Sequence, residues 1–272
     1  MKAFIIDIRI CNGCYNCQVA CKDEHVGNDW SPIAKPQPDT GQFWMRVEDI
    51  VRGQVPKVKV AYMHYMCQHC AEAPCEKACM SKAIYHRPDG AVIIDPTKCT
   101  GQKLCIDACP YDVIYYNTDM QIAQKCTWCA HLLDKGWKEP RCVDSCPTGA
   151  LKFGDEEQFK DLIAQAEILN PEAKTSPRVY YIGIPKKFVA GAVYDPEADE
   201  CLEGASVTLK DAKGKKVASA KTDNFGDFWF EGLKVGKYSL NIEKPGYLPR
   251  ELKDISTDKD INVGDLELSK KV

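Results

Sequence analysis

The sequence predicts an α+β chain of two unlike parts, a cysteine-organised region over residues 1–155 and an all-β sandwich over residues 188–272. Three observations carry that reading. All but one of the 16 cysteines lie at or before residue 146, where they fall into regular runs. From Val189 onward the apolar residues recur at every second position, the period of a half-buried strand. Between these regions, residues 156–187 hold one stretch of helical periodicity and three prolines.

Composition sets the bounds. A chain of 272 residues, 44% apolar, with formal net charge −3, can bury substantial cores and divides into about two domains. It is too long and too rich in Val, Ile, Leu and Phe to be a small disulfide scaffold, so its thiols point first to metal. Neither half carries a basic stripe with interleaved aromatics, which argues against nucleic acid as a partner. The N-terminal MKAFIIDIRICNGC is interrupted by Asp7 and Arg9 and shows neither a small-residue cleavage site nor a twin arginine. No window reaches the ~18 apolar residues of a membrane span. A cytoplasmic location, where thiols stay reduced, is the expectation.

The first run, CNGCYNCQVAC, places Cys11, Cys14, Cys17 and Cys21 as C-x2-C-x2-C-x3-C. The second, CQHCAEAPCEKAC, supplies Cys67, Cys70, Cys75 and Cys79. The third, CTGQKLCIDACP, supplies Cys99, Cys105 and Cys109, with Gln102 where the rhythm of the first run would put a cysteine. CTWC and CVDSCP add Cys126, Cys129, Cys142 and Cys146. Cysteines three apart can wrap a loop around one iron–sulfur cubane, while the x3 step enters a helical turn and points the fourth thiolate elsewhere. In bacterial two-cluster ferredoxins that fourth cysteine serves the other cluster and is often followed by proline. Cys109-Pro110 and Cys146-Pro147 have that proline; Cys21-Lys22 and Cys79-Met80 do not. A lone C-x2-C pair favours zinc, but runs that repeat a third cysteine and an x3 fourth favour iron–sulfur clusters over tetrahedral zinc.

Over about residues 1–155 the chain resembles the four-cluster electron-transfer subunits of molybdenum enzymes in the dimethyl sulfoxide reductase family. CQHCAEAPCEKAC, CPYDVIYYN, QKCTWC and CPTGAL carry the likeness. The resemblance implies a nested double bacterial-ferredoxin-like domain, with an inner unit at about residues 60–115. Carried over by position, Cys11, Cys14, Cys17 and Cys146 hold one [4Fe-4S] cluster, and Cys21, Cys126, Cys129 and Cys142 a second. Cys67, Cys70, Cys75 and Cys109 hold a third. The fourth site keeps only Cys79, Cys99 and Cys105. Gln102 is a weak neutral ligand for a soft site, so this site is expected to be empty or to hold [3Fe-4S]. The same resemblance implies a large partner subunit, forming a heterodimer, that alone carries molybdenum and molybdopterin guanine dinucleotide. This chain would contribute no catalytic residues.

The residues between the cysteines are expected to be mostly structural. Tyr15, Tyr111, Tyr115, Tyr116 and Trp128 read as packing around the clusters. His64, His69 and His131 read as structural or surface residues, and Lys98, Lys103 and Lys125 as a solvated face. Residues 27–42, with three prolines, read as an inserted loop against the partner.

In DEEQFKDLIAQAEIL, the spacing of Phe159, Leu162, Ile163, Ala166 and Ile168 predicts a short amphipathic helix, and Pro171, Pro177 and Pro185 punctuate a connector. Strands follow at Val207 and Leu209, at Phe228 and Phe230, and at Tyr238, Leu240 and Ile242, separated by the turn-like DAKGKK, TDNFGD and EKPGY. GAVYD, GASVTL, TDNFGDFWF and GKYSL resemble the elements of the carboxypeptidase-regulatory, transthyretin-like sandwich. Without a ligand cluster or a nucleophile–base pair, this half reads as structural or partner-docking, with Cys201 a lone buried thiol.

Three functions are compatible with these readings: an electron-transfer subunit of a molybdenum reductase or dehydrogenase, a free polyferredoxin, and a structural metal-binding protein. A nearly balanced charge and the added sandwich favour permanent assembly. Within the family, the damaged fourth site and the sandwich tail together imply hydroxyl transfer between polyhydroxylated benzenes, pyrogallol to phloroglucinol, with no net oxidation.

Overall fold

The computed structural model describes residues 1–271. They form two compact units: residues 1–50 with 61–184, and residues 51–60 with the chain from Pro185 onward.

In the first unit the chain runs through β1 (Lys2–Asp7), α1 (Asn16–His25), a long hairpin of β2 (Met45–Gln54) and β3 (Lys57–Met66), and α2 (Pro74–Lys77). A short hairpin of β4 (Ile84–His86) and β5 (Val92–Ile94), then α3 (Leu104–Asp107), lead to a second short hairpin of β6 (Tyr115–Asn117) and β7 (Ile122–Gln124). Next come α4 (Ala130–Leu133), α5 (Arg141–Asp144), β8 (Leu151–Asp155), α6 (Lys160–Gln165) and β9 (Val179–Ile182). The architecture is nested. Inside, α2 packs on α3 between the two short hairpins; outside, α1 packs on α5. β1 pairs antiparallel with β8, Ile6 opposite Leu151, and parallel with β9, Phe4 opposite Val179. As the central strand of three, β1 buries Ala3, Phe4, Ile5 and Ile6 in succession, which is why it reads as an apolar run without alternation. Helices of four residues have no stability of their own, so α2 to α5 exist through the packing around their cysteines.

Two sequence expectations for this unit are revised. The helix expected from residue 155 is a 3-10 turn, Glu156–Phe159, followed by α6, which ends at Gln165. Backbone pairing wins over periodicity there: Glu167 and Tyr181 exchange N–H···O bonds of 2.7 and 2.8 Å. The proline-marked connector contains a strand, β9, and braces the second cysteine run, since the Ala71 and Glu72 N–H groups donate to the Ser176 and Thr175 carbonyls. Residues 27–42 pack on the β6–β7 hairpin of this same chain, where Gln124 Nε2 donates to the Lys35 and Pro36 carbonyls at 3.0 Å.

The second unit is a two-sheet sandwich. Its strands are β10 (Lys187–Asp195), β11 (Glu200–Cys201), β12 (Ser206–Asp211), β13 (Lys216–Lys221), β14 (Asp227–Leu233), β15 (Lys237–Glu243), β16 (Arg250–Ser256) and β17 (Ile261–Glu267). One sheet joins β11, β10 and β14, with β17 parallel to β10; the other has the order β13-β12-β15-β16. Registers such as Val189 opposite Phe230, and Leu209 opposite Leu240, put every second residue inside, where Val193, Val207, Phe228, Ile242 and Leu266 complete the core. Each such side chain contributes roughly 1.5–3 kcal/mol on burial. The tip of the β2–β3 hairpin belongs to this unit: Arg52 pairs with the buried Asp260 at 3.2 Å, and Lys57 with Asp227. Cys201, expected to be buried, is exposed, because two-residue β11 lies at the rim of its sheet beside Tyr194.

Candidate cluster-binding centre

The strand pairing of the first unit decides which thiols meet. β1 leads into the first cysteine run and β8 leaves the last, so their antiparallel register sets Cys146 beside Cys11 and Cys17. Burial pushes the Cys17 thiol up to about 12, and Cys11, Cys146 and the exposed Cys14 push in the same direction. Cys21, one helical turn on from Cys17, faces Cys126 and Cys129, and Cys142 completes this second group. All four are buried; burial lifts Cys126 and Cys129 to about 12, and Cys21 and Cys142 well above the ordinary thiol range. Cys67, Cys70, Cys75 and Cys109 form the third group, with burial raising Cys70 to about 11 and Cys75 to about 12. The same four line one cavity.

The loops between the thiols are wound to hold sulfur. In the first run Gly13 has φ +69° and Tyr15 φ 60° immediately before α1. An added Cβ at Gly13 would lie 2.3 Å from the Tyr62 ring, so conformation and space both require glycine. Backbone N–H groups turn onto the sulfurs: the His69 N–H donates to Cys67 Sγ at 3.5 Å and the Trp128 N–H to Cys126 Sγ at 3.4 Å. The turns after the fourth cysteines of two runs work alike. Burial raises Cys146, but the Leu151 N–H, the Thr148 hydroxyl and the Thr148 and Ala150 N–H groups outweigh it and leave the thiol below its ordinary value. At Cys79 the Ser81 hydroxyl and the Ile84, Ala83 and Ser81 N–H groups outweigh burial in the same way.

The fourth group is incomplete in chemistry but not in shape. Cys105 stands with Cys99 and Cys79, and the Ala123 N–H donates to Cys99 Sγ at 3.4 Å. The loop repeats the first run: Gly101 has φ +69°, Lys103 has φ 65°, and α3 begins at the next residue. Gln102 occupies the place of Cys14, and both are exposed. Cys79, Cys99, Gln102 and Cys105 line one cavity.

Two groups were placed wrongly or overlooked by sequence reasoning. Lys125, expected on a solvated face, is 2% exposed, its Nζ donating to the Val92 and Cys126 carbonyls; Lys103 is exposed as expected. His25 was not singled out, although its i+4 spacing from Cys21 on α1 puts both on one face. Its Nε2 lies 3.9 Å from Cys129 Sγ, and His64 Nε2 lies 3.9 Å from Cys11 Sγ. Burial lowers His25 to about 3 and His64 to about 4, so both imidazoles are neutral at pH 7 and within reach of N–H···S bonds. His69 and His131 are also buried; His69 stacks on the fully buried Trp128 at 4.1 Å, and His131 on Trp30 at 4.4 Å.

Cys21, Cys126, Cys129 and Cys142, all buried and with no disulfide among them, need a positively charged partner to ionise. Among the described residues no group of three or more Cys, His, Asp or Glu is arranged to hold a single metal ion. Thiols brought together in fours, with backbone N–H groups on their sulfurs, are soft donor sets that fit an iron–sulfur core.

Comparison with known proteins agrees with the chemistry. Residues 58–156 match the 4Fe-4S dicluster domain, and residues 189–269 the carboxypeptidase regulatory-like domain. The chain belongs to the iron–sulfur electron-transfer subunits of the dimethyl sulfoxide reductase family of molybdenum enzymes. It is an iron–sulfur protein whose nested ferredoxin-like domain precedes a carboxypeptidase-regulatory-like sandwich. Along nearly its whole length it is similar to the pyrogallol hydroxytransferase small subunit of Pelobacter acidigallici, 39% identical over 97% of this chain and 98% of that one. A tetrathionate reductase subunit of Salmonella typhimurium is 35% identical over 69% of this chain and 74% of its own. The arsenate respiratory reductase iron-sulfur subunit of a Shewanella species is 30% identical over 65% and 94%. Among the described residues no helix is long and apolar enough to cross a membrane.

Proposed function

We propose that this chain is the iron–sulfur subunit of a cytoplasmic two-subunit molybdenum enzyme that moves a hydroxyl group between polyhydroxybenzenes, converting pyrogallol to phloroglucinol. The three complete cysteine sets, Cys11, Cys14, Cys17 and Cys146, then Cys21, Cys126, Cys129 and Cys142, then Cys67, Cys70, Cys75 and Cys109, each hold a [4Fe-4S] cluster. Each cluster, when bound, takes up or releases one electron. The chain's own residues supply the rest: thiolates as ligands, N–H groups that stabilise charge on sulfur, and apolar walls that keep water away. Molybdenum, molybdopterin guanine dinucleotide and every catalytic residue belong to the large partner.

The observation that carries this reading is the fourth site, where Gln102 replaces a thiolate beside Cys79, Cys99 and Cys105. A reductase or dehydrogenase exchanges electrons with an outside carrier and needs a complete relay; a hydroxyl transfer that balances internally does not. The sandwich and the full-length similarity to a hydroxytransferase small subunit support the same choice. Native purification with metal analysis and identification of the companion chain tests it. Iron near about twelve atoms per chain, a co-purifying molybdenum subunit and turnover without an added electron carrier are expected. A preparation with four complete cubanes, or one that reduces an external acceptor as fast as it transfers hydroxyl, would instead make the chain the electron-exporting subunit of another molybdenum oxidoreductase, as its similarity to reductase subunits would allow.

A further inference from the structure

Only two lysines are buried among the described residues, Lys57 in the sandwich unit and Lys125 in the cluster unit. Lys57 pairs with a carboxylate, Asp227. The partners of Lys125 are of another kind. Its Nζ donates to the carbonyl of Val92, a residue that lines the cavity of the third cysteine set, and at 3.1 Å to the carbonyl of Cys126, a member of the second set. Val92 is held on both sides, since its N–H donates to His69 Nδ1 at 2.9 Å and the His69 ring is stacked on Trp128.

Its charge acts on both sets. Its side chain is also hydrogen-bonded to Cys67, a thiol of the third set, whereas it meets the second set through the Cys126 carbonyl. The ammonium thus lies between the wall of the third set's cavity, at Val92, and Cys126 of the second set. Adding an electron to a cluster adds negative charge, and a fixed cation in a low-dielectric interior favours that reduced form.

We infer that Lys125 is a positioning residue for electron transfer, a fixed ammonium shared by the second and third cysteine sets that raises the reduction potentials of the clusters they hold, the third more than the second. Lys125 itself exchanges neither proton nor electron. The inference rests on those sets holding clusters, which iron and sulfide analysis of the unmodified complex checks separately: too little iron there defeats the cluster reading.

The test is an EPR-monitored redox titration of the intact complex carrying Lys125→Met, which keeps length without charge, and Lys125→Arg, which keeps charge. In an iron-replete Lys125→Met complex the reduction equilibrium of the third cluster should fall tenfold or more, about 59 mV for a one-electron couple. The second cluster should shift less, the first should stay in place, and Lys125→Arg should remain close to the unmodified protein. An unchanged third potential, or an equal shift in all three clusters, overturns the inference. Where Lys125→Met loses iron, unmodified complex labelled with ¹⁵N-lysine decides the matter: the reduced third cluster should show hyperfine coupling to a lysine nitrogen, and its absence overturns the inference.

Discussion

Gln102→Cys should rebuild the fourth cluster site. The loop around residue 102 has kept the conformation that a ligand needs: φ is +69° at both Gly13 and Gly101, 60° at Tyr15 and 65° at Lys103, and a helix starts next in each case. A Cβ on Gly101 would lie 2.3 Å from the Gln121 carbonyl oxygen, so the tight approach that shapes the loop is retained too. Cys79, Cys99 and Cys105 still line one cavity, as the thiols of the complete third set do. Three of the four thiols, Cys79, Cys99 and Cys105, are in place. Because Gln102 is exposed, its replacement should change stability by no more than about 0.5 kcal/mol. The expected result is a rise from about twelve to about sixteen iron atoms per chain, with matching acid-labile sulfide and a new signal in the reduced EPR spectrum. Hydroxyl transfer should be nearly unchanged. A folded Gln102→Cys protein whose iron stays near about twelve would refute the argument that loss of one thiolate alone emptied a preserved site.

Cys146→Ser should cost the cluster served by Cys11, Cys14 and Cys17, about four iron atoms per chain, while the spectrum of the one served by Cys126, Cys129 and Cys142 persists; the opposite pattern would defeat the nested assignment. Arg52→Ala should lower the unfolding stability of the sandwich unit by about 1–3 kcal/mol, measured by denaturant titration, because the buried Asp260 keeps the Phe188 N–H but loses its cation. The carboxyl of Asp195 is held down to about 2, since N–H donation from Ala198 and Glu197 and contacts from Lys270 and Tyr247 outweigh burial. A depressed carboxyl stabilises the fold above its unfolded pKa of about 3.9 and loses that contribution as pH falls toward 2, so Asp195→Asn should flatten the acid limb of the thermal stability curve between about pH 4 and 2. A mutant curve parallel to that of the unmodified protein over that window would show that Asp195 does not set it.

The sandwich was legible because its information is local. Val207 and Leu209, Phe228 and Phe230, and Leu240 and Ile242 recur at every second position, and the structure buries these six residues. The amphipathic stretch near residue 160 misled because Glu167 pairs with Tyr181, fourteen residues away in sequence, and helical periodicity carries no trace of that bond. Cys201 misled because a thiol's apolar character says nothing of whether its strand lies at a rim. Lys125 misled most. A lysine is ordinarily solvated, and only the convergence of Val92, Cys67 and Cys126 around it makes burial tolerable.

The spacing of the cysteines, by itself, determined the chemistry of this chain, since thiols at intervals of three with an x3 fourth suit an iron–sulfur core. Composition and the change of period near residue 188 determined that a β-sandwich follows it. Which thiols share a cavity was decided only by tertiary structure. Cys146 meets Cys11 across more than a hundred residues because β1 and β8 pair with Ile6 opposite Leu151, and strand register is a property of the folded sheet rather than of any stretch of sequence. The preserved hollow at Gln102 and the ammonium lodged between two cysteine sets were decided the same way, because loop conformation and burial emerge only when distant segments pack together.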